Sequence, residues 1–257
     1  MAPHPFAALS LCGMAVFWER LAGTQPVPPE WVIAVSGAVA LLVVLNTAAW
    51  HLARNAITIA HEGGHALVSL LSGRQLAGIR LHSDTSGETV TRGRRTGPGA
   101  VLTAFAGYVT PPLLGVGAAW LLAAHHVTAT LWLLLALLVA TFVAIRNAYG
   151  VLAVLAATAA VFAVTWFASA TVQAAFGYGV AWFLLLGGAR PVAELARSRS
   201  RRPGRGRRAW PSDADQLARL TRVRAGVWVA VFGLVAVAAL IVGARLLIPG
   251  SLYLPHR

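Results

Sequence analysis

The stretch "TIAHEGGHALVSLLSG", residues 58–73, places two histidines and a glutamate in a run that is otherwise apolar. His61 and His65 are four positions apart, so at about 3.6 residues per turn they stand one above the other on a single helix face. Neutral imidazole nitrogen binds zinc at about 2.0–2.1 Å, and two imidazoles one turn apart can reach the same ion. Glu62 lies beside the first, placed to take a proton from water that such an ion would make acidic. This is the HExxH pattern of zinc peptidases. The same residues could instead form a polar packing stripe satisfied by hydrogen bonds. Gly63 and Gly64 each cost about 1 kcal/mol of helix propensity relative to alanine, and in return admit close approach of another helix or of a substrate backbone.

The elements that must position these residues read as membrane helices. Of the 257 residues 58% are hydrophobic, and 21 cations, all arginine, face eight acids. That apolarity excludes an ordinary soluble domain of this length. A spanning helix needs about 20 apolar residues. The chain supplies them in Trp31–Trp50, in the helix carrying the motif, in two spans near 99–124 and 127–146, in two more within 147–189 broken around Ser169–Gln173, and in 225–244. The expected fold is therefore an all-α polytopic membrane protein of about seven transmembrane helices. Residues 1–30 read as an N-terminal interfacial or short apolar segment, because Phe6–Trp18 is too short to span. Residues 31–257 read as one transmembrane domain with a basic cytoplasmic loop over 190–211.

Arginine placement gives an orientation. The segment 197–208 holds seven arginines in twelve residues, and 74–95 holds five. Arginine-rich loops stay in the cytoplasm, and the four spans between these two return the chain to one side. The expectation is a multi-pass protein of a bacterial cytoplasmic membrane with its N-terminus inside. The arginine run reads as a topology determinant contacting lipid head groups; it lacks the aromatic interleaving of a nucleic-acid site. Cys12 has no second cysteine to pair with.

Between the motif and the third span, "GIRLH" and "ETVTR" alternate around the turn-forming "DTSG", which predicts a small β-hairpin. A peptidase acting on a transmembrane helix must hold its substrate extended, and strand addition to an exposed edge is one way. Pro111 and Pro112 predict a kink or a break in the third span. Asn147 reads as a helix cap or a residue that positions substrate, His125 and His126 as interfacial at the outer face, and His82 as a remote candidate metal contact.

"HEGGHALVSLLSG", followed by "IRLHSDTSGETVTRG" and "AGYVTPPLLG", resembles the site-2 protease superfamily of intramembrane zinc metallopeptidases, in its compact bacterial, actinobacterial-looking branch. The resemblance covers about residues 50–240 and implies His61 and His65 as zinc ligands, Glu62 as general base, a membrane-associated hairpin, and an aspartate on a later segment as third ligand. The usual Leu-Asp-Gly is absent. "SDADQLARL" resembles a Ser-Asp-Gly variant with Ala214 in place of glycine, which makes Asp213 the ligand; Asp215 is the competing choice. Ser212 or Asp213 also reads as the N-cap of a helix.

The sequence thus leads to a zinc metalloendopeptidase acting on membrane-protein substrates within the lipid bilayer. The alternatives are a non-proteolytic protein on the same scaffold, with a structural, regulatory or lost zinc site, and a transporter whose mid-membrane histidines line a cation path.

Overall fold

A computed structural model describes residues 23–200 and 212–248. The expectations for Phe6–Trp18, Cys12 and most of the arginine run lie outside the described residues. The elements in chain order are α1 (Glu30–Leu45), α2 (Thr47–Leu71), β1 (Gln75–Leu81), β2 (Gly87–Arg92), α3 (Pro98–Ala123), α4 (Val127–Ala144), α5 (Ala148–Phe167), α6 (Ala170–Ser200), α7 (Asp213–Thr221) and α8 (Ala225–Leu247). The chain is an all-α polytopic membrane protein with one small antiparallel hairpin, as its composition predicts.

Seven of the eight helices match the expected segments, but they do not make seven spans. Among the described residues helices α3, α4, α5, α6 and α8 are each long and apolar enough to cross a membrane, and α1 and α2, bent by 103° at the break between them, qualify only together, as one broken span or a re-entrant loop. The reason lies in the sequence between them. Asn46 leaves helical geometry, and its side chain accepts the Ala49 N–H at 2.9 Å to start α2. The C-terminal carbonyl of Val44 that the break frees accepts from the guanidinium of Arg190 on α6. That guanidinium also lies 4.7 Å over the Trp50 ring and pairs with Glu194 at 3.1 Å. Arg190 therefore caps one helix and holds the start of the next.

Two further expectations change. Residues 190–200 are the last turns of α6 rather than loop, because alanine, leucine and arginine continue a helix that nothing before Ser200 interrupts. Pro111 and Pro112 sit inside an unbroken α3, fully buried and packed against Gly188 of α6, where a Cβ would come within 2.8 Å of Pro112. The described chain begins at the bundle end away from the hairpin: Gln25 N–H bonds the carbonyl of His125 at 2.8 Å. His125 and His126 lie at that end, in the turn between α3 and α4.

Helix α3 is the hub, lined on one side by α2 and on the others by α6 and α8. Small residues let these helices approach. A Cβ at Gly115 would come within 2.8 Å of Leu185, and one at Gly243 would overlap the same side chain. Without a hydrophobic drive between helices in lipid, such contacts supply the association. Gly115→Leu and Gly188→Leu are each expected to destabilise the bundle by about 1–3 kcal/mol through overpacking, measured as a lower thermal unfolding midpoint in detergent; unchanged midpoints would mean that these helices do not pack this tightly.

Candidate metal centre

His61 and His65 occupy one face of α2, as their spacing predicts, and that face is pressed onto α3. Nε2 of His61 and Nε2 of His65 are 3.2 Å apart. Oδ2 of Asp213 lies 3.1 Å from the first and 3.2 Å from the second. The three residues form the one His/Cys/Asp/Glu group among the described residues able to share an ion. Donors about 2.0–2.1 Å from a tetrahedral zinc ion sit about 3.3–3.4 Å from each other, so the spacing suits that metal.

The protonation pattern supports the same use. Nδ1 of His65 is 2.7 Å from the carbonyl oxygen of Thr103, which can only accept, so Nδ1 carries the hydrogen. This partner orients the ring and leaves Nε2 with a lone pair in the neutral imidazole. That lone pair faces a carboxylate oxygen and a second imidazole nitrogen at about van der Waals distance. Such an arrangement is repulsive unless a cation, proton or metal ion, stands among them.

Asp213 reaches the histidines because α7 begins with a capping box. Ser212 accepts the Asp215 N–H, and the Asp215 carboxylate accepts the Ser212 N–H at 3.0 Å and its hydroxyl at 2.7 Å. Asp215 also binds Arg199, at the end of α6, at 2.8 Å. Partial burial opposes its ionisation, but the Ser212 bonds and the Arg199 guanidinium outweigh it and hold the carboxyl below its ordinary range. Of the two competing aspartates, then, Asp215 secures the turn and Asp213, first residue of the helix, points at the histidines. Two other acids are engaged elsewhere: Asp84 accepts from Ser86 within the hairpin turn, and Glu194 pairs with Arg54 and Arg190.

Glu62 is buried and faces the hairpin rather than α3. Its Oε2 accepts the Thr89 hydroxyl at 2.6 Å. A Cβ at Gly87 would come within 2.7 Å of Oε1, so the strand lies directly on the carboxylate. His82, the remote candidate contact, sits in the hairpin turn with its ring near Ser86 and takes no part in the metal-type cluster. Asn147 does not cap α5 with its side chain. Its amide instead pairs with the backbone of Leu81, accepting at 3.1 Å and donating at 2.7 Å.

Sequence reasoning took Thr89 and Thr91 only as edge positions of the hairpin and missed the Thr89 hydroxyl's bond to Glu62; it also missed Thr103, which looks like an ordinary polar helix residue, and Gly107. A Cβ at Gly107 would overlap Nε2 of both histidines, so only glycine lets α3 approach here. Its presence in "AGYVTPP" was the available signal. Tyr108, next in line, sets its ring edge-on against His61 at 4.8 Å and stacks on Phe232 of α8, which walls one side of the site with apolar surface.

Gly107→Ala is expected to lower affinity for a divalent metal by more than about tenfold, the size of loss that comes with disturbing the shell around a metal site, with the helical content of the protein preserved. Asp213→Ala should do the same, and Asp215→Ala, which loosens the turn without removing a donor, should do so less. Metal titration of the purified variants checks this; a larger loss from Asp215→Ala would reverse the roles of the two aspartates.

Neither the curated proteins nor the solved structures contain a match to this chain. A protein-family model does match, over residues 34–243, a span that holds all eight helices in whole or part, the hairpin and the three clustered side chains: the chain belongs to the Peptidase M50B-like family.

Proposed function

We propose that the protein is an intramembrane zinc endopeptidase that cleaves membrane proteins in or near their transmembrane segments. The observation that carries this reading is the convergence of His61, His65 and Asp213 on one point, beside a buried glutamate that is not part of the cluster. In this reading His61, His65 and Asp213 hold the ion. Zinc bound there would supply Lewis acidity, polarising a carbonyl and making water nucleophilic near neutral pH.

The chain's own residues account for the rest. Glu62 is the general base and proton carrier: Oε2 is anchored by Thr89, which leaves Oε1 for the proton. A structural metal site has no need of such a group. The apolar wall of Tyr108 and Phe232 keeps bulk water from the reacting atoms, which strengthens each polar interaction inside.

The hairpin supplies a way to hold substrate. The Ile79 carbonyl accepts from the Arg146 N–H at 2.9 Å, and Asn147 occupies both backbone groups of Leu81, so this edge of β1 is already paired. In an antiparallel ladder the register partners of Ile79 and Leu81, which are Thr89 and Gly87, turn their backbone groups the opposite way, off the outer edge of β2. That edge makes no backbone hydrogen bond to another described element, and the same strand rests its side-chain face on Glu62 at Gly87 and Thr89. An extended substrate added there would meet the base directly. The arginine-rich ends, at 74–95 and at the end of α6, support a site near the cytoplasmic face of a bacterial inner membrane.

The test is metal analysis with cleavage of tagged single-span membrane proteins. The expected results are about one zinc per chain, lost in His61→Ala and His65→Ala, and retained in Glu62→Gln, which abolishes cleavage. Protein that takes up no zinc or other divalent ion, or a Glu62→Gln variant that still cleaves, would refute the reading.

A further inference from the structure

Thr89 occupies an unusual position, because two of its functions meet in one residue. Its backbone N–H and carbonyl belong to the outer edge of β2, opposite Ile79. Its side chain turns out of the sheet toward α2, where the hydroxyl lies 2.6 Å from Oε2 of Glu62 and 3.1 Å from the Glu62 carbonyl. A hydroxyl has one hydrogen, and the shorter, charge-assisted contact with the carboxylate is the stronger claim on it. Glu62 has no other hydrogen-bond donor among the described residues.

The neighbouring contacts fix the strand at this spot. Thr58, one turn before Glu62 on α2, donates to the Thr85 carbonyl in the hairpin turn at 2.8 Å. Gly87 lets the strand settle where any side chain would displace the carboxylate. On the far side Asn147 and Arg146 hold β1. The hairpin is thus clamped at its tip and along its inner edge, and Thr89 is the point at which it grips the glutamate.

We propose that Thr89 is a positioning residue which couples strand addition to the base: a substrate backbone paired to the β2 edge stiffens the strand at Thr89, and the Thr89 hydroxyl transmits that order to the Glu62 carboxylate, holding Oε2 and aiming Oε1. This rests on the peptidase reading above. It goes beyond it by giving the substrate-binding edge a part in catalysis that does not depend on contact with the metal ligands.

The experiment uses the full-length protein. Thr89→Val keeps the β-branch and the edge backbone but replaces the hydroxyl with a methyl group; Thr89→Ser keeps the hydroxyl. For Thr89→Val, kcat toward a tagged single-span substrate is expected to fall about ten- to a hundredfold, in line with what loss of orientation costs a general base. KM should stay within about twofold, zinc content should be unchanged, and Thr89→Ser should recover most of the rate. A thermal-unfolding cycle over wild type, Thr89→Val, Glu62→Gln and the double variant tests the contact without turnover, and the two changes should be non-additive. Additive shifts would remove the contact and the proposal with it, whatever the rates. Non-additive shifts with wild-type kcat in Thr89→Val, or a Thr89→Val defect confined to KM, would overturn the coupling and leave only an anchor for the hairpin. Absence of cleavage by the wild type with the contact intact would sink the peptidase reading, and the coupling role falls with it.

Discussion

Three electron-pair donors are held 3.1–3.2 Å from one another inside a bundle built for lipid, and the packing around them answers that demand. Polar groups in such surroundings are costly unless each finds a partner. The imidazoles must therefore be crowded against α3, and α3 can come close only where it has no side chain, at Gly107. The bend of 103° between α1 and α2 separates the part of the chain that packs on α6 from the part that packs on α3 and carries His61 and His65. The bend is in turn stabilised by Arg190, which satisfies the freed carbonyl of Val44 and rests on Trp50. A cation placed so far from the histidines thus helps decide where they point.

The division of labour between the two aspartates has the same logic. A carboxylate brought to a metal-type cluster must be presented rigidly, since a mobile ligand gives up its affinity in entropy. Asp215 spends its hydrogen-bonding capacity on Ser212 and Arg199, which leaves the first residue of α7 free to face α2. Leu217 and Ala214 bury the other side of this short helix against α3 and α8, so its position is set by packing as well as by the cap.

The hairpin is asymmetric in a way that matters for the M50B-like scaffold. Its inner edge is closed by a side-chain amide and a single backbone bond, so that the β1 strand is spliced to the junction of α4 and α5. Its outer edge makes no backbone hydrogen bond to another element among the described residues, and it runs beside the buried glutamate. Exposed edges are usually blunted, because they recruit other strands. Keeping one open and short, over a buried carboxylate that the metal-type cluster does not use, is a use of that tendency.

The sequence by itself determined the helical membrane class, the hairpin, and the shared face of His61 and His65, because each depends on local spacing: apolar runs of spanning length, period-two alternation around a turn, and an i, i+4 pair. For the third member of the cluster it pointed, through a family resemblance, to Asp213 with Asp215 as the competing choice. What separates the two is the capping box, where residue 215 is consumed by Ser212 and residue 213 is not, and the folding of α7 back toward α2 across more than a hundred residues. Asn147, Thr89, Thr103 and Gly107 were also decided only in three dimensions. Each acts on a partner from another element, and nothing in a hydrophobic period says which carbonyl, carboxylate or ring will be found opposite. The bend between α1 and α2 was hidden for the same reason: apolar composition measures whether a segment can enter lipid, but the break at Asn46 is met by a guanidinium on α6.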